Sequence, residues 1–232
     1  MSSTLHVVGG VADGLALEAE AFTSDGVAVR LWSPRRRALV CPANLRRKPG
    51  FYDGRRNSAA RGWPLHLRPT GGGAVPQGPG ALNLALAFTA GRTFTIDDGY
   101  RLITQVIRSA IPAPWTTGAT PNSFCDGAWN LSLFDRKVVG TAQRVRPIGG
   151  GQRRILAHAL ILVEGDVAEG ASAVGAFHGD LGLGPIEADV HTTLNATNTT
   201  PPWEMEVLAS ALDASARSEI ARVTASQDPI SA

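Results

Sequence analysis

Apolar side chains recur at every second position between residues 82 and 88, where Leu82, Leu84, Leu86 and Phe88 would share one face of a β-strand. Shorter runs of the same kind, bounded by glycine, proline or charged residues, predict further strands. These lie at residues 27–32, 38–41, 65–68, 130–134, 137–145 and 155–163. The last of these runs is apolar almost throughout, which is typical of a strand at the centre of a sheet.

Helical spacing of apolar residues predicts a helix between residues 97 and 110, with Asp97 and Asp98 near its start, where the helix dipole favours acidic side chains. Further helices are predicted at residues 13–22, 53–61 and 203–223. Residues 165–202 are small and polar and give no clear pattern. Because strands and helices alternate irregularly and a hairpin joins two of the strands, we expect an α+β domain with a mixed, largely antiparallel sheet packed against helices.

The composition is that of an ordinary globular domain and excludes several classes of partner. Of the 232 residues, 44% are hydrophobic and 18% are charged, and the formal net charge is only +2. This charge gives no reason to expect a nucleic-acid partner, and no apolar run is long enough to predict a membrane span. Two cysteines, Cys41 and Cys125, are too few for a disulfide scaffold, so we expect reduced thiols and a cytoplasmic protein.

Three consecutive glycines, Gly71, Gly72 and Gly73, follow the strand predicted at residues 65–68. Without Cβ atoms this backbone can adopt positive φ angles and approach a ligand closely, and its N–H groups can hold an anion or a carbonyl oxygen. A flexible surface turn would have the same composition. The run is neither a Walker loop nor a dinucleotide fingerprint, because no Gly-Lys-Ser or Gly-Lys-Thr follows it and the next element is a strand.

A lysine opens the second strand of the predicted hairpin. Strict alternation places Lys137, Thr141 and Gln143 on one face of this strand and Gly140 on the other. One face would then carry a cation, a hydroxyl and an amide together. Either this face is solvated, or it forms a polar wall in which the ammonium holds an acyl carbonyl or a phosphate as a point charge.

Three segments, in order, resemble the lipoate–protein ligase and octanoyltransferase family of the biotin/lipoate ligase superfamily. Residues 67–88 contain Arg-Pro-Thr-Gly-Gly-Gly-Ala-Val and then an alternating strand, as the family's glycine motif does. Residues 135–144, with Lys-Val-Val-Gly-Thr-Ala-Gln-Arg, are similar to the family's Gly-Lys-Lys-x-x-Gly-Ser-Ala-Gln-Arg. Residues 155–162 resemble its His-His-Gly strand, and residues 190–194 match a weaker motif.

This resemblance implies a single catalytic domain of the biotin/lipoyl ligase type over residues 1–232, without a C-terminal accessory domain. The implied activity is transfer of a lipoyl or octanoyl group to a lysine of a lipoyl carrier domain, which would be the protein partner, with acyl carrier protein as a further partner. A ligase would use ATP and Mg²⁺, whereas a transferase would need no cofactor. A biotin ligase is a weaker match, because the chain has no Gly-Arg-Gly-x-x-x-Arg segment.

The resemblance also implies the site residues. Lys137 and Cys125 would be catalytic. The substrate-binding residues would be Arg68, Gly71, Gly72, Gly73, Gln77, Gly140, Thr141 and His158. The chain departs from the family pattern at Gln77, where histidine is usual, and at Ala159, where glycine is usual. These departures leave open a non-catalytic or degenerate member that binds lipoate or a lipoyl carrier.

Cys125 lies in the loop before the strand of Lys137, where one branch of octanoyltransferases has its cysteine. A thiolate there would split acyl transfer into two easier steps. The alternative is a buried small side chain, the usual role of a free cysteine. The neighbouring Asp126 counts against a reactive thiol, because a like charge raises a thiol pKa, and Lys137 would offset that effect if it came near.

Overall fold

The computed structural model of the chain describes residues 4–198 and 202–225. Its helices are α1 (Val11–Thr23), α2 (Phe51–Ala60), α3 (Ile96–Ala110), α4 (Val167–Asp180) and α5 (Met205–Ala225). Its strands are β1 (Leu5–Val8), β2 (Ala28–Pro34), β3 (Ala38–Pro42), β4 (Leu65–Arg68), β5 (Val75–Gln77), β6 (Ala81–Ala90), β7 (Thr116–Thr117), β8 (Leu131–Leu133), β9 (Arg136–Gly149) and β10 (Gln152–Leu162). Short 3₁₀ turns cover Ala43–Arg47 and Asn195–Thr197.

The strands form one large and one small sheet. The large sheet has the order β1-β2-β6-β10-β9-β8-β7, and every pair in it is antiparallel except β1 with β2. The small sheet has the order β4-β3-β5, with one parallel and one antiparallel pair. The predicted α+β class with a mixed, largely antiparallel sheet is confirmed, and β10 is a central strand as its continuous apolar run indicated.

Two layers of core enclose the large sheet. On one face, apolar residues of α3 and α5 pack against alternate residues of β6, including Leu84 and Leu86. The opposite face, which carries Trp32 and Leu160, packs against the small sheet and α4. The candidate site lies in this second layer, between the two sheets. The polar Asn83 of β6 points to this side and lines the cavity there.

Several elements within the described residues have no counterpart in the sequence-based prediction. The most substantial is α4, which has few large apolar residues and therefore lacks a clear helical pattern. Small residues are nevertheless required there: a Cβ on Gly170 would lie 2.9 Å from Pro76 of the small sheet. Strands β1 and β5 are too short for a visible alternation, and residues 199–201 of the unassigned stretch lie outside the described part of the chain.

The predicted face of Lys137 is wrong because a β-bulge interrupts the alternation. Leu131 of β8 pairs with Val139, but the next residue, Ser132, pairs with Lys137, so Val138 is an extra residue in β9. The bulge turns Lys137 away from the face of Thr141. Its Nζ instead lies 3.6 Å from where a Cβ on Gly140 would stand.

Among the residues described, we find no helix with both the length and the apolar character needed to span a membrane.

Candidate active site

Cys125 lies at the centre of the candidate site, in the loop between β7 and β8. Its backbone has a left-handed conformation, with φ +49°, which is uncommon for a residue other than glycine. The Sγ atom accepts a hydrogen bond from the main-chain N–H of Gly73 at 3.1 Å. Arg68 Nη2 lies 3.8 Å from the same sulfur. Both groups are donors whose positions suit negative charge on the sulfur.

The glycine run is needed because the backbone passes so close to this cysteine. A Cβ on Gly72 would lie only 2.6 Å from Cys125 Sγ, and Gly72 has φ +98°. A Cβ on Gly73 would lie 3.1 Å from Cys125 Cα. The two glycines therefore form the wall against which the cysteine packs. Gly71 differs from them, because a Cβ there would meet nothing within 4 Å.

Arg68 is a buried cation at the end of β4, with only 4% of its surface exposed. Its guanidinium donates to the carbonyl oxygens of Val40, Gly71 and Gly73, at 3.1, 2.9 and 2.7 Å. It forms no ion pair with a carboxylate in the described part of the chain. A buried cation without an anionic partner is costly, so this position favours an anion at the sulfur beside it.

Lys137 is a second buried cation, 1% exposed, which holds the cysteine loop from its other side. Its Nζ donates to the carbonyl oxygen of Cys125 at 2.8 Å and to that of Phe124. Burial lowers the pKa of Lys137 to about 8; the nearby Cys125 and Asp126 oppose this shift, while Arg68 adds to it. An ammonium has three donors, so one remains beyond the two that hold the loop.

His191 supports the same loop from beneath. Its ring stacks on that of Phe124, with centroids 4.0 Å apart, and its Nε2 accepts the main-chain N–H of Phe124 at 3.1 Å. Burial and then the charge of Lys137 lower the pKa of His191 to about 4. The ring is therefore neutral at neutral pH, which its role as an acceptor at Nε2 requires.

A narrow cavity of about 40 Å³ opens beside Cys125, between the two sheets. Its lining is largely apolar and includes Leu15, Trp32 and Leu160. Gln77 and Asn83 form part of the wall and are joined by two amide hydrogen bonds of 2.6 and 2.9 Å. Gln77, which stands where the family usually has histidine, therefore has a hydrogen-bonding partner in Asn83 for both its amide nitrogen and its amide oxygen.

His158 is part of a buried polar network at the same cavity. Its Nδ1 lies 3.0 Å from Glu18 Oε2, and its Nε2 is 2.9 Å from the hydroxyl of Thr70, the residue before the glycine run. The other carboxylate oxygen of Glu18 accepts the indole N–H of Trp32 at 3.0 Å. The network therefore connects α1, two strands of the large sheet and the start of the glycine loop.

Most of the residues singled out from the sequence surround Cys125. Those that contact Cys125 or line its cavity are Arg68, Gly72, Gly73, Gln77, Gly140, Thr141 and His158. Gly71 is exposed and contributes its carbonyl to Arg68. Thr141 directs its hydroxyl to the carbonyl of Trp129 at 3.0 Å.

Four further residues are revealed by the structure. Glu18 had no signal beyond being an acidic residue on an amphipathic helix. Phe124 lay in a stretch without periodicity, and Asn130 stood at the start of the strand predicted at residues 130–134 with no signal of its own. Asn130 donates from Nδ2 to the carbonyl of Cys125 at 3.1 Å. His191 stands in the segment with the weaker family motif, which was its one available signal. Among the described residues, no group of three or more His, Cys, Asp or Glu side chains is placed to hold a metal ion.

Comparison with known families identifies the domain around this site. The family model described as "Lipoyl protein ligase A/B catalytic domain" matches residues 51–180, which is more than half of the chain. The chain belongs to this lipoyl protein ligase A/B family. The match contains Arg68, Cys125, Lys137 and His158, whereas Glu18 lies outside it.

Relatives of this lipoyl protein ligase A/B domain include proteins from two bacteria. An uncharacterized protein of Cupriavidus necator is 35% identical over 165 residues, which are 63% of this chain and 64% of the relative. The octanoyl-[GcvH]:protein N-octanoyltransferase of Kyrpidia tusciae is 32% identical over 143 residues, or 58% of this chain and 50% of the relative. The chain thus spans between half and two thirds of these relatives.

The fold agrees with solved structures of the same type. A crystal structure of lipoate-protein ligase A bound with ATP superposes with a TM-score of 0.70, covering 95% of this chain and 86% of the other, at 16% sequence identity. At this identity the likeness establishes the fold of the lipoyl protein ligase A/B domain, and the chemistry has to be argued from the site itself.

Proposed function

We propose that the protein transfers an octanoyl or lipoyl group to a lysine of a lipoyl carrier domain, through a thioester on Cys125. The observation that carries this proposal is the placement of the Cys125 sulfur between the N–H of Gly73 and the buried guanidinium of Arg68. The name of the Kyrpidia tusciae relative, an octanoyltransferase acting with GcvH, supports the same reaction class.

In the first step, the thiolate of Cys125 attacks the acyl carbonyl carbon of the donor. A bond forms between carbon and Sγ, and the carbonyl oxygen carries the negative charge of the tetrahedral intermediate. Two cations would stabilise that charge: the ammonium of Lys137, through the N–H that does not hold the loop, and the guanidinium of Arg68. The intermediate collapses by breaking the bond to the donor's leaving group, which takes a proton from solvent and departs as a thiol from a thioester or as an amine from an amide.

In the second step, the ε-amine of the carrier lysine attacks the Cys125 thioester. A carbon–nitrogen bond forms, the carbon–sulfur bond breaks, and the sulfur leaves as a thiolate while the new amide nitrogen loses a proton to solvent. Throughout, the acyl chain would occupy the apolar cavity beside Leu15, Trp32 and Leu160. Because this cavity is narrow, binding of the chain requires its apolar walls to part.

We infer a transferase rather than a ligase, since a cysteine thioester already stores the free energy needed to form the amide. A ligase would activate the free acid with ATP and Mg²⁺ before transfer. The donor would be an octanoylated carrier, either a lipoyl carrier domain or acyl carrier protein. A free thiol at Cys125 fits a reducing compartment, and we propose the cytoplasm.

The experiment that tests this function combines an unmodified lipoyl carrier domain with either an octanoyl thioester or lipoate plus ATP and Mg²⁺. Mass spectrometry of the carrier should show acylation with the thioester and no requirement for ATP. Replacement of Cys125 by Ala should lower the transfer rate by at least ~100-fold, because the covalent route is lost. Carrier acylation that appears only with ATP would reject the transferase.

The second cysteine provides a matched control. Cys41 is fully buried in β3, and burial raises its pKa to about 11. Its thiol is therefore protonated and inert at neutral pH. Cys41→Ala should retain transfer within ~3-fold of the wild type, since removal of a small buried group changes packing more than chemistry. Equal losses in the two variants would remove Cys125 from the mechanism.

A further inference from the structure

The charges of the chain are unevenly distributed, and the excess of cations is confined to one stretch. Residues 35–61 contain nine of the 22 lysine and arginine residues and one of the 20 acidic residues. This stretch therefore has a net charge of +8, and the rest of the chain has −6. It includes β3, the 3₁₀ turn Ala43–Arg47 and α2.

This segment is fixed against α4 and does not form a lid over the cavity. Gly50, with φ +78°, packs so closely that a Cβ there would lie 2.5 Å from the carbonyl oxygen of Asp180. Phe51 packs edge-on against Phe177 of α4. The carboxylate of Asp180 accepts from Arg61 at 2.8 Å and from Asn57 at 3.0 Å.

Six of the nine cations in this segment have no acidic partner within the described part of the chain, and all six are exposed. Two of them, Arg35 and Arg36, precede β3, and the other four, Arg46, Arg47, Lys48 and Arg55, lie between residues 46 and 55. We call these four residues the basic face. Tyr52 stands among them with 62% of its surface exposed. Arginine and tyrosine are both enriched where one protein surface binds another.

A short stretch of chain connects the basic face to the surroundings of Cys125. Pro42, the last residue of β3, is opposite Arg68, whose guanidinium is 3.8 Å from the Cys125 sulfur. The 3₁₀ turn that carries Arg46 and Arg47 begins at the next residue, Ala43. At no more than ~3.8 Å per residue along the chain and ~4.8 Å between paired strands, the Cα atoms of Arg46 and Arg47 lie within roughly 24 Å of the Cα atom of Arg68.

We propose that the basic face is the docking surface for the carrier domain, and that it binds an acidic patch beside the carrier's acceptor lysine. This inference rests on the proposed function, because it assigns a partner to the same cysteine. Exposed cations without partners attract a complementary acidic surface and increase its association rate. The position of the basic face would bring the bound carrier's lysine to the opening beside Cys125.

The test compares two double charge reversals with the same change in net charge. Arg46→Glu with Arg47→Glu alters the basic face. Arg144→Glu with Arg146→Glu alters two exposed arginines near the far end of β9. The control pair lies roughly 23 Å or more along the strand from Lys137, at ~3.3 Å per residue. Thermal unfolding of both variants establishes that they are folded.

Two rates are measured for each variant. The first is acylation of Cys125 by a small octanoyl thioester, which needs no carrier, and the second is transfer from acylated Cys125 to an unmodified lipoyl carrier domain. We expect the variant of the basic face to keep the first rate and to lose ~10-fold or more in the second at low salt, with the loss shrinking at ~0.5 M salt. The control variant should keep both rates.

Equal carrier transfer by the two variants would overturn the docking surface, and so would equal losses in both. A failure of the proposed function looks different, because the wild type itself would then show no acylation of Cys125. In that case, binding of the lipoyl carrier domain is measured by calorimetry at low and high salt. Weakened binding in the Arg46/Arg47 variant alone supports the docking surface, and unchanged binding rejects it.

Discussion

At the scale of single residues, the site depends on how closely two backbone segments approach each other. Cys125 occupies a left-handed conformation, and its sulfur packs against a glycine whose missing side chain leaves the necessary space. Around this contact, Arg68 and Lys137 are buried without carboxylate partners in the described residues. The polypeptide therefore accepts an electrostatic cost at this point, and an anionic sulfur or an oxyanion would offset it.

Substitution of Gly72 by Ala tests this close approach. The new Cβ would lie 2.6 Å from the Cys125 sulfur at a backbone φ of +98°, so the loop or the cysteine has to move. We expect Cys125 acylation to slow by at least ~10-fold, because a displacement of the nucleophile of ~1 Å is costly.

The neighbouring Gly71→Ala is the matched control, since its Cβ would meet nothing within 4 Å. The rate of Cys125 acylation in Gly71→Ala, measured by quenched-flow mass spectrometry, should lie within ~2-fold of the wild-type rate, as expected for an exposed substitution. If both alanine variants acylate at the wild-type rate, the close packing of Gly72 on the cysteine has no role.

The depressed pKa of His191 predicts how stability depends on pH. An unfolded histidine binds a proton near its ordinary pKa of 6.5, whereas His191 in the folded protein does so only near 4. Between these values the unfolded state binds more protons, so stability from this group is present above pH 6.5 and is lost as the pH falls to 4. The loss should be on the order of 2–3 kcal/mol.

Urea unfolding at a series of pH values measures this loss. His191→Gln keeps a side chain that can accept the Phe124 N–H but removes the titration, so its stability should vary less between pH 6.5 and 4. Identical slopes for the variant and the wild type would assign the acid sensitivity to other groups.

The face of Lys137 marks the limit of residue-level prediction from the sequence. Alternation along β9 grouped it with Thr141, but the extra residue Val138 reverses that order. The bulge arises from the pairing of β9 with β8, so it cannot be predicted from the residue pattern of β9 alone. The cluster around Cys125 was predictable only through the family motifs, because residues 68 and 72, residue 125 and residue 137 come from three different segments.

At the scale of elements, long periodic segments were predictable and short or small-residue ones were not. Helix α3 and strand β6 follow their apolar patterns closely, and α3 also begins with the reciprocal hydrogen bonds of Thr95 and Asp98. Helix α4 escaped prediction because its glycines and alanines fit against Pro76 and give little amphipathic signal. Its position is set by tertiary packing, which overrides local propensity.

The attachment of α1 to the large sheet gives a prediction at this scale. Glu18 accepts the indole N–H of Trp32 and holds the ring of His158; Glu18 and Trp32 are buried and His158 is half-buried. Glu18→Ala would leave the buried indole N–H of Trp32 and the half-buried ring of His158 without this partner, so we expect a loss of about 2–4 kcal/mol in the free energy of unfolding. It should also slow acylation, since His158 bonds to Thr70 at the start of the glycine loop.

Glu20→Ala, two residues further along the same helix, is the control. Glu20 is exposed and its nearest cation, Arg30, is 3.9 Å away. Removal of such a surface ion pair should change the free energy of unfolding by less than ~1 kcal/mol. Chemical denaturation of the two variants measures the difference, and a loss no larger in Glu18→Ala than in Glu20→Ala would show that the buried network does not stabilise the fold.

At the scale of the whole molecule, two sheets enclose the cavity, and a basic segment contributes one strand, β3, to the smaller sheet. The composition predicted neither feature, because a net charge of +2 conceals a stretch of +8 within a chain that is otherwise acidic. The location of that stretch beside β4 follows from the parallel pairing of β3 with β4. Only the fold reveals that the segment at residues 35–61 is adjacent to Cys125.

The central claim is an acyl group carried on Cys125, and a single-turnover experiment tests it most directly. The protein is mixed with a limiting octanoyl thioester, the excess is removed, and peptide mass spectrometry locates the adduct before and after addition of an unmodified lipoyl carrier domain. The account predicts an octanoyl group on Cys125 that disappears as the carrier lysine becomes octanoylated at the same rate. Octanoylation of the carrier without any adduct on Cys125 would contradict it.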